Sequence, residues 1–172
     1  REQILPKIAK GECYFSIGMS EPDSGSDLAS IRTRAKKSPN NWTINGTKVW
    51  TSNAHINHWM ILLARTEQPS ENRHAGMSQF LIDLKNDDII INPIPNMLGH
   101  HEFNEVVFNE TAIPLDRIIG KEGNGWQQVT AELAYERSGP ERFLSTYNVL
   151  LELINSAKNK NDSEIDRTIG KL

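Results

Sequence analysis

Two short stretches carry side chains whose types and spacing suit ligand chemistry. The first, GMSEPDSGSDLAS over Gly18–Ser30, is built from small and hydroxylated residues. Its backbone N–H groups and the hydroxyls of Ser20, Ser24 and Ser26 form a set of neutral donors. Such a set suits a polar, planar ligand or a phosphate without requiring positive charge. A turn in which Asp23 or Asp27 caps the following segment uses the same residue types. The second, KVWTSNA over Lys48–Ala54, puts an indole beside two hydroxyls at what reads as a strand end. Trp50 can stack on a ring while Thr51 and Ser52 donate; a core tryptophan closing a strand is the plainer alternative. Neither stretch decides between its readings alone.

The elements that must position these stretches follow from periodicity. Ile4, Leu5 and Ile8 have helical spacing and Gly11 sits where a helix C-cap glycine belongs. From Cys13 the period shortens, and seven strand-like runs follow: CYFSIGM, SIRTRAKK, WTINGTKVW, HWMILLART, SQFLIDLK, DIIINPI and NEVVFN. Asn45-Gly46 is the strongest hairpin signal, because both residues tolerate the positive φ of a type I′ turn. The spacing predicts a small antiparallel β-barrel or sandwich, and the fold class is α+β, with this middle domain flanked by truncated helical regions. Beyond Pro114, GKEGNG is rich in turn residues. Trp126 to about Ala157 then reads as helix, with apolar residues from Val129 to Ile154 and a break at Ser138-Gly139-Pro140. KNKNDSE reads as a polar linker and IDRTIGKL as the opening of a further element.

Composition narrows the classes. The 172 residues hold 19 Lys and Arg against 22 Asp and Glu, for a formal net charge of -3. That balance gives no general attraction to nucleic acid or anionic membranes. The single cysteine, Cys13, cannot form an internal disulfide and reads as a small core residue. No apolar run approaches the roughly 20 residues of a membrane-spanning helix, so the expectation is a soluble, cytoplasmic chain.

Joined together, the two stretches make a longer pattern. It runs Gly-Met-Ser-Glu, two residues, Ser-Gly-Ser-Asp, two residues, Ser, then a strand, Asn-Gly, and Lys-Val-Trp-Thr-Ser-Asn. This pattern resembles the acyl-CoA dehydrogenase family, and the resemblance covers nearly the whole chain. LPKIAKGE is similar to the end of that family's N-terminal helical domain, and FNETAIPLDRIIGKEGNGW to the connection into its C-terminal helical domain. The division implied is 1–11, tail of the N-terminal helical domain; 12–119, flavin-binding β domain; and 120–172, start of the C-terminal helical domain.

The resemblance implies FAD as cofactor and α,β-dehydrogenation of an acyl-CoA thioester, with proton abstraction at Cα and hydride transfer to flavin N5. Ile17, Met19 and Ser20 fall where the family lines the pyrimidine side of the flavin. Trp50 falls where a ring packs on the isoalloxazine, Ser52 where a hydroxyl bonds near N5, and Thr51 between them contributes main chain. The family usually shows threonine where this chain has Ser20 and Ser52; serine keeps the donor and loses a methyl. Ser26 matches a position touching both cofactor and the CoA moiety. Ala134, Tyr135 and Arg137 match substrate-site positions. The implied partners are acyl-CoA, an electron-transfer flavoprotein as acceptor and copies of the same chain, as a homodimer or homotetramer of the full-length protein. An oxidase or monooxygenase on the same fold, or a non-catalytic partner subunit, are the alternatives.

The family's usual glutamate base lies beyond Leu172, which leaves Glu136 as the candidate within this chain. It aligns with a position where some members carry their base; a helix carboxylate paired with a neighbouring cation is the other reading. His100-His101 lacks a third ligand at metal-site spacing. GKEGNG lacks the Lys-Ser/Thr ending of a P-loop and reads as a turn before a helix. LGHHEFNEVVF departs from the family's commoner Gly-x-Arg-x-Ser-x-Thr, a difference that bears on acyl-chain choice.

Overall fold

Each of the seven strand-like runs forms a strand, and an eighth follows. In this computed structural model, which describes residues 2, 4–68, 70–157 and 163–171, the strands are β1 (Phe15–Gly18), β2 (Arg34–Lys37), β3 (Asn41–Ser52), β4 (Trp59–Arg65), β5 (Met77–Asp83), β6 (Ile89–Pro95), β7 (His101–Pro114) and β8 (Ile118–Ile119). The helices are α1 (Leu5–Ala9), α2 (Gly125–Arg137), α3 (Glu141–Ala157) and α4 (Ser163–Ile169). α1 is capped by Lys10, and Gly11 follows with φ 70°, the left-handed conformation of a helix-terminating glycine. The break between α2 and α3 falls at Ser138–Pro140, where proline removes a helical donor. The polar linker expected around KNKNDSE falls largely outside the described residues.

The chain divides into two compact units, one reaching Val129 and the other beginning at Thr130. The first is one eight-stranded sheet in the order β6-β7-β3-β2-β4-β5-β8, with β1 added to β4. It is an α+β arrangement whose strand path stays open rather than closing into a barrel. The sheet is also mixed, not wholly antiparallel. β1 pairs with β4 in parallel over Phe15↔Trp59 to Gly18↔Leu62, and β2 meets β4 in parallel at Arg34↔Arg65. Tight turns enforce antiparallel neighbours only where strands are adjacent in sequence, and β1 is separated from β4 by two strands and a long loop. β4 reads as a near-continuous apolar run because it is covered on both faces: Met60, Leu62, Leu63 and Ala64 are fully buried. Trp42, Ile44, Phe80, Ile82, Val106 and Phe108 complete the core around it, with Trp42 edge-on to Phe80 at 5.1 Å between ring centroids.

Asn45-Gly46 is not a hairpin turn. The β2–β3 turn is made instead by Ser38-Pro39-Asn40, closed by Ser38 N–H donating to Asn41 O at 2.9 Å. Asn45 stays in the sheet opposite Arg34 on one side. On the other side the register jumps from Ile44↔Thr111 to Gly46↔Phe108, so that Asn109 and Glu110 of β7 oppose the single Asn45. That is a β-bulge. The Asn45 side chain takes part in it, accepting from Glu110 N–H at 2.9 Å and donating to the Glu110 carboxylate at 2.8 Å. Gly46 has φ 144°, and a Cβ there would lie 2.7 Å from the Thr33 Cα. Local sequence signalled a residue pair tolerant of positive φ; the partner strand, some 65 positions away, turned it into a bulge.

Candidate active site

A second bulge interrupts the same ladder four residues further along β3, about 14 Å away at about 3.4 Å per residue. Register moves from Lys48↔Val106 to Thr51↔Asn104, so Val49 and Trp50 of β3 face the single Glu105. Trp50 carries the strain, with φ 59°. A bulky side chain in the left-handed region costs about 1–2 kcal/mol and is an outlier that calls for a cause. The residue is 61% exposed, and its indole meets Phe103 edge-on at 6.2 Å between centroids. Thr51, next along, is fully buried and its hydroxyl makes no hydrogen bond among the described residues. Its main chain is enclosed as well, the carbonyl being taken by Asn104 of β7. Ser52 then faces outward, its own hydroxyl without a partner among the described residues.

The loop from Met19 to Thr33 is tied to this strand end at several points. Val49 N–H donates to Ser20 O at 2.9 Å. The Lys48 ammonium, fully buried, donates to Met19 O at 2.9 Å and to Glu21 Oε1 at 2.8 Å. Glu21 in turn accepts from Thr33 N–H at 2.9 Å and Arg32 N–H at 2.6 Å. Burial alone would push the Glu21 carboxyl up, but the charge and hydrogen bond of Lys48, with Arg32 and Thr33, hold it below the ordinary glutamate range. Burial draws Lys48 down to about 8, with the attraction of Glu21 opposing the shift. At neutral pH both are charged. Further along, Arg65 at the end of β4 donates to Ile31 O and Ala29 O. β1 is fastened from the other side: Ser16 Oγ donates to Ser52 O at 2.7 Å, and Asn57 Nδ2 donates to Phe15 O and to Ser16 Oγ.

A third group braces the strand end from β7. Asn104, fully buried, donates from Nδ2 to Thr51 O at 3.0 Å, and its Oδ1 lies 2.7 Å from His101 Nε2. His101 stacks on His55 with centroids 3.7 Å apart. The histidine that looked like half of an HH pair is thus engaged with His55 and Asn104, and His100 is not.

An exposed, backbone-strained indole, a free hydroxyl two residues on and a firmly held polar loop thus share one face of the strand end. The family model described as acyl-CoA dehydrogenase, middle domain, matches residues 16–111, from β1 into β7. The chain belongs to the acyl-CoA dehydrogenase family. It is 43% identical over 137 residues to the acyl-CoA dehydrogenase IpdE1 of Mycobacterium tuberculosis, covering 80% of this chain and 35% of that protein. The ChsE4-ChsE5 complex from Mycobacterium tuberculosis superposes with a TM-score of 0.75 at 31% identity, over 92% of this chain and 41% of that one. A structure described as the FAD complex of PigA superposes with a TM-score of 0.80 at 25% identity, over 94% of this chain and 43% of that one. This acyl-CoA dehydrogenase chain therefore spans less than half the length of each of these relatives.

Of the residues singled out in the sequence, the fold brings Met19, Ser20, Trp50, Thr51 and Ser52 to one seam, with Ile17 exposed on β1 beside it. Ser26 lies on the outer part of the loop, exposed, with no hydrogen bond to β3. Ala134, Tyr135, Glu136 and Arg137 form the exposed last turn of α2 in the second unit. There the Glu136 carboxylate lies 3.9 Å from Arg142, and its side chain is 67% exposed. Sequence reasoning missed Glu21, Lys48, Asn57, Arg65 and Asn104. One of them left a trace: Lys48 shares the inward phase of Trp42 and Ile44, where a strand wants an apolar residue.

Proposed function

We propose that the full-length protein is an FAD-dependent acyl-CoA dehydrogenase that removes the α proton of an acyl-CoA thioester and its β hydrogen as hydride. The observation that carries this reading is Trp50, held exposed and left-handed by a bulge that nothing else among the described residues covers. A flavin fits the residues present: the indole offers a stacking face, Ser52 a hydroxyl at the ring's edge, and Ser20 a backbone N–H and hydroxyl toward the pyrimidine side. When bound, the flavin supplies the hydride acceptor. Ser52 orients its reactive edge, Trp50 shields one face from water, and Ser26 lies toward the CoA moiety.

The α C–H of a thioester is a weak acid, so its base must be desolvated and the carbonyl polarised. Glu136 is exposed and beside Arg142, which favours a role lining the acyl-CoA site, with Ala134, Tyr135 and Arg137, over a role as base. An electron-transfer flavoprotein as acceptor and assembly with further copies of the chain belong to the same reading, as does the domain division 1–11, 12–119 and 120–172. The test is to purify the full-length protein, look for bound FAD, and mix it anaerobically with a panel of acyl-CoAs. The expected result is a yellow protein bleached by at least one thioester. A preparation that takes up no FAD overturns the reading; stoichiometric peroxide release in air would redirect it to an oxidase.

A further inference from the structure

Lys48 is an odd choice for the centre of a strand. It is fully buried, on the same face of β3 as Trp42 and Ile44. Taking an ammonium and a carboxylate out of water costs several kcal/mol per ion, and a buried pair is often no more stable than apolar residues of similar volume. Stability alone does not account for the Lys48–Glu21 pair. Its geometry does. The ammonium reaches from β3 to Met19 O, and the next residue of β3, Val49, donates its backbone N–H to Ser20 O. Two consecutive peptides of the loop are therefore fastened by their carbonyls to two consecutive residues of β3. No cis peptide occurs here, and in a trans peptide the C=O of one residue and the N–H of the next point in opposite directions. With Met19 O turned inward to Lys48, Ser20 N–H must point away from the core. It makes no hydrogen bond among the described residues. Glu21 completes the device, because its carboxylate holds the ammonium in place while accepting the N–H groups of Arg32 and Thr33 at the far end of the loop.

We infer that Lys48, held by Glu21, is a positioning residue that sets the Met19–Ser20 peptide so that Ser20 N–H is presented to the polar edge of the bound ring. The inference rests on the flavin reading above. It adds a role for two residues that do not touch the ligand. Because the pair is mutually neutralised and lies behind the peptide, it acts through direction rather than through charge.

The experiment uses the full-length protein with Lys48→Met and Glu21→Gln combined, so that no lone charge is left buried, and Thr111→Val as a control of a buried hydroxyl remote from the loop. Should the double variant not fold, Lys48→Leu combined with Glu21→Gln, which likewise leaves no lone charge, is read in the same way. Two quantities are measured: hydrogen exchange of the Val49 amide, which reports whether Ser20 is docked, and FAD affinity with the flavin absorption spectrum. The double variant is expected to exchange Val49 at least about tenfold faster, with amides of β4 unchanged. It is expected to bind FAD about tenfold or more weakly with a shifted spectrum, while Thr111→Val changes neither. Unchanged Val49 exchange overturns the inference whatever the flavin does. Faster exchange with parental FAD affinity and spectrum overturns the ligand-facing role and leaves a loop staple. A parent protein that binds no FAD removes the flavin reading instead, and with it the ligand-facing half, while the exchange arm still decides whether Lys48 sets the peptide.

Discussion

The two bulges of the β3–β7 ladder form a natural comparison. Each places one non-glycine residue in the left-handed region: Glu110, with φ 50°, on β7 and Trp50, with φ 59°, on β3. At the first, the strain is compensated on the spot. Asn45 accepts from the strained residue's N–H and donates to its carboxylate, and Gly46 lets Thr33 approach closely. At the second, no such partner occurs among the described residues; Trp50 has an edge contact with Phe103 and an open face. A bulge that closes its own hydrogen bonds is part of the scaffold. One that leaves a large ring strained and uncovered is the kind retained where something outside the chain completes it.

The largest effect should come from breaking the scaffold bulge. Gly46→Val adds a side chain where a Cβ already comes within 2.7 Å of backbone, at a φ that L residues avoid. A loss of about 3 kcal/mol or more in unfolding free energy is expected. A denaturant melt within about 0.5 kcal/mol of the parent would show that β2 and β3 can yield there.

Breaking the second bulge should separate stability from binding. Burying half of an indole's roughly 200 Å² at about 25 cal/mol per Å² is worth about 2.5 kcal/mol. Trp50→Ala and Trp50→Gly should each weaken FAD binding between tenfold and a hundredfold. They should differ in stability: glycine relaxes the left-handed backbone and should be more stable than alanine by about 1 kcal/mol, reversing their usual order in strands. Equal stabilities would mean that the bulge holds no strain. Asn45→Ala is the converse case. It should cost about 1–2 kcal/mol through the lost bonds to Glu110 and leave FAD affinity unchanged, as calorimetry in the presence and absence of FAD would record.

The contrast also explains what was legible in the sequence. Strand existence was readable, because alternation and short apolar runs are local; all seven runs became strands. The family was readable from the Gly18–Ser30 and Lys48–Ala54 patterns taken together. Pairing was not. Asn45-Gly46 has the same local chemistry in a hairpin and in a bulge, and only β7 decides between them. The parallel β1–β4 pairing likewise depends on where a distant strand docks. Asn104 and Lys48 escaped notice because their role is to reach across the fold, to Thr51 O and Met19 O respectively. A lysine in the core phase of a strand was the one available sign of such a reach.

The smallest effect belongs to acid. Glu21 braces the segment beside the second bulge, whereas Asn45, at the first, carries no charge. Burial raises the Glu21 carboxyl and is the largest single influence; Lys48, Arg32 and Thr33 together more than offset it, so the net displacement is downward. A carboxyl depressed in the folded state contributes stability that is present above its unfolded pKa and is lost as pH falls through the folded one. The pH window therefore opens near the ordinary glutamate value and extends below it. Because burial cancels much of the attraction, the slope contributed by this one group should be shallow. Unfolding measured in parallel for the parent and Glu21→Gln should show a gap that narrows as the solution is acidified through and below the ordinary glutamate range. Exchange of the Val49 amide should rise over the same interval, before that of the Glu110 amide at the other bulge. A gap that widened on acidification within the ordinary glutamate range would mean that the folded carboxyl lies above its unfolded value, with burial outweighing Lys48. Simultaneous loosening of both bulges would mean that the loop and the scaffold unfold as one.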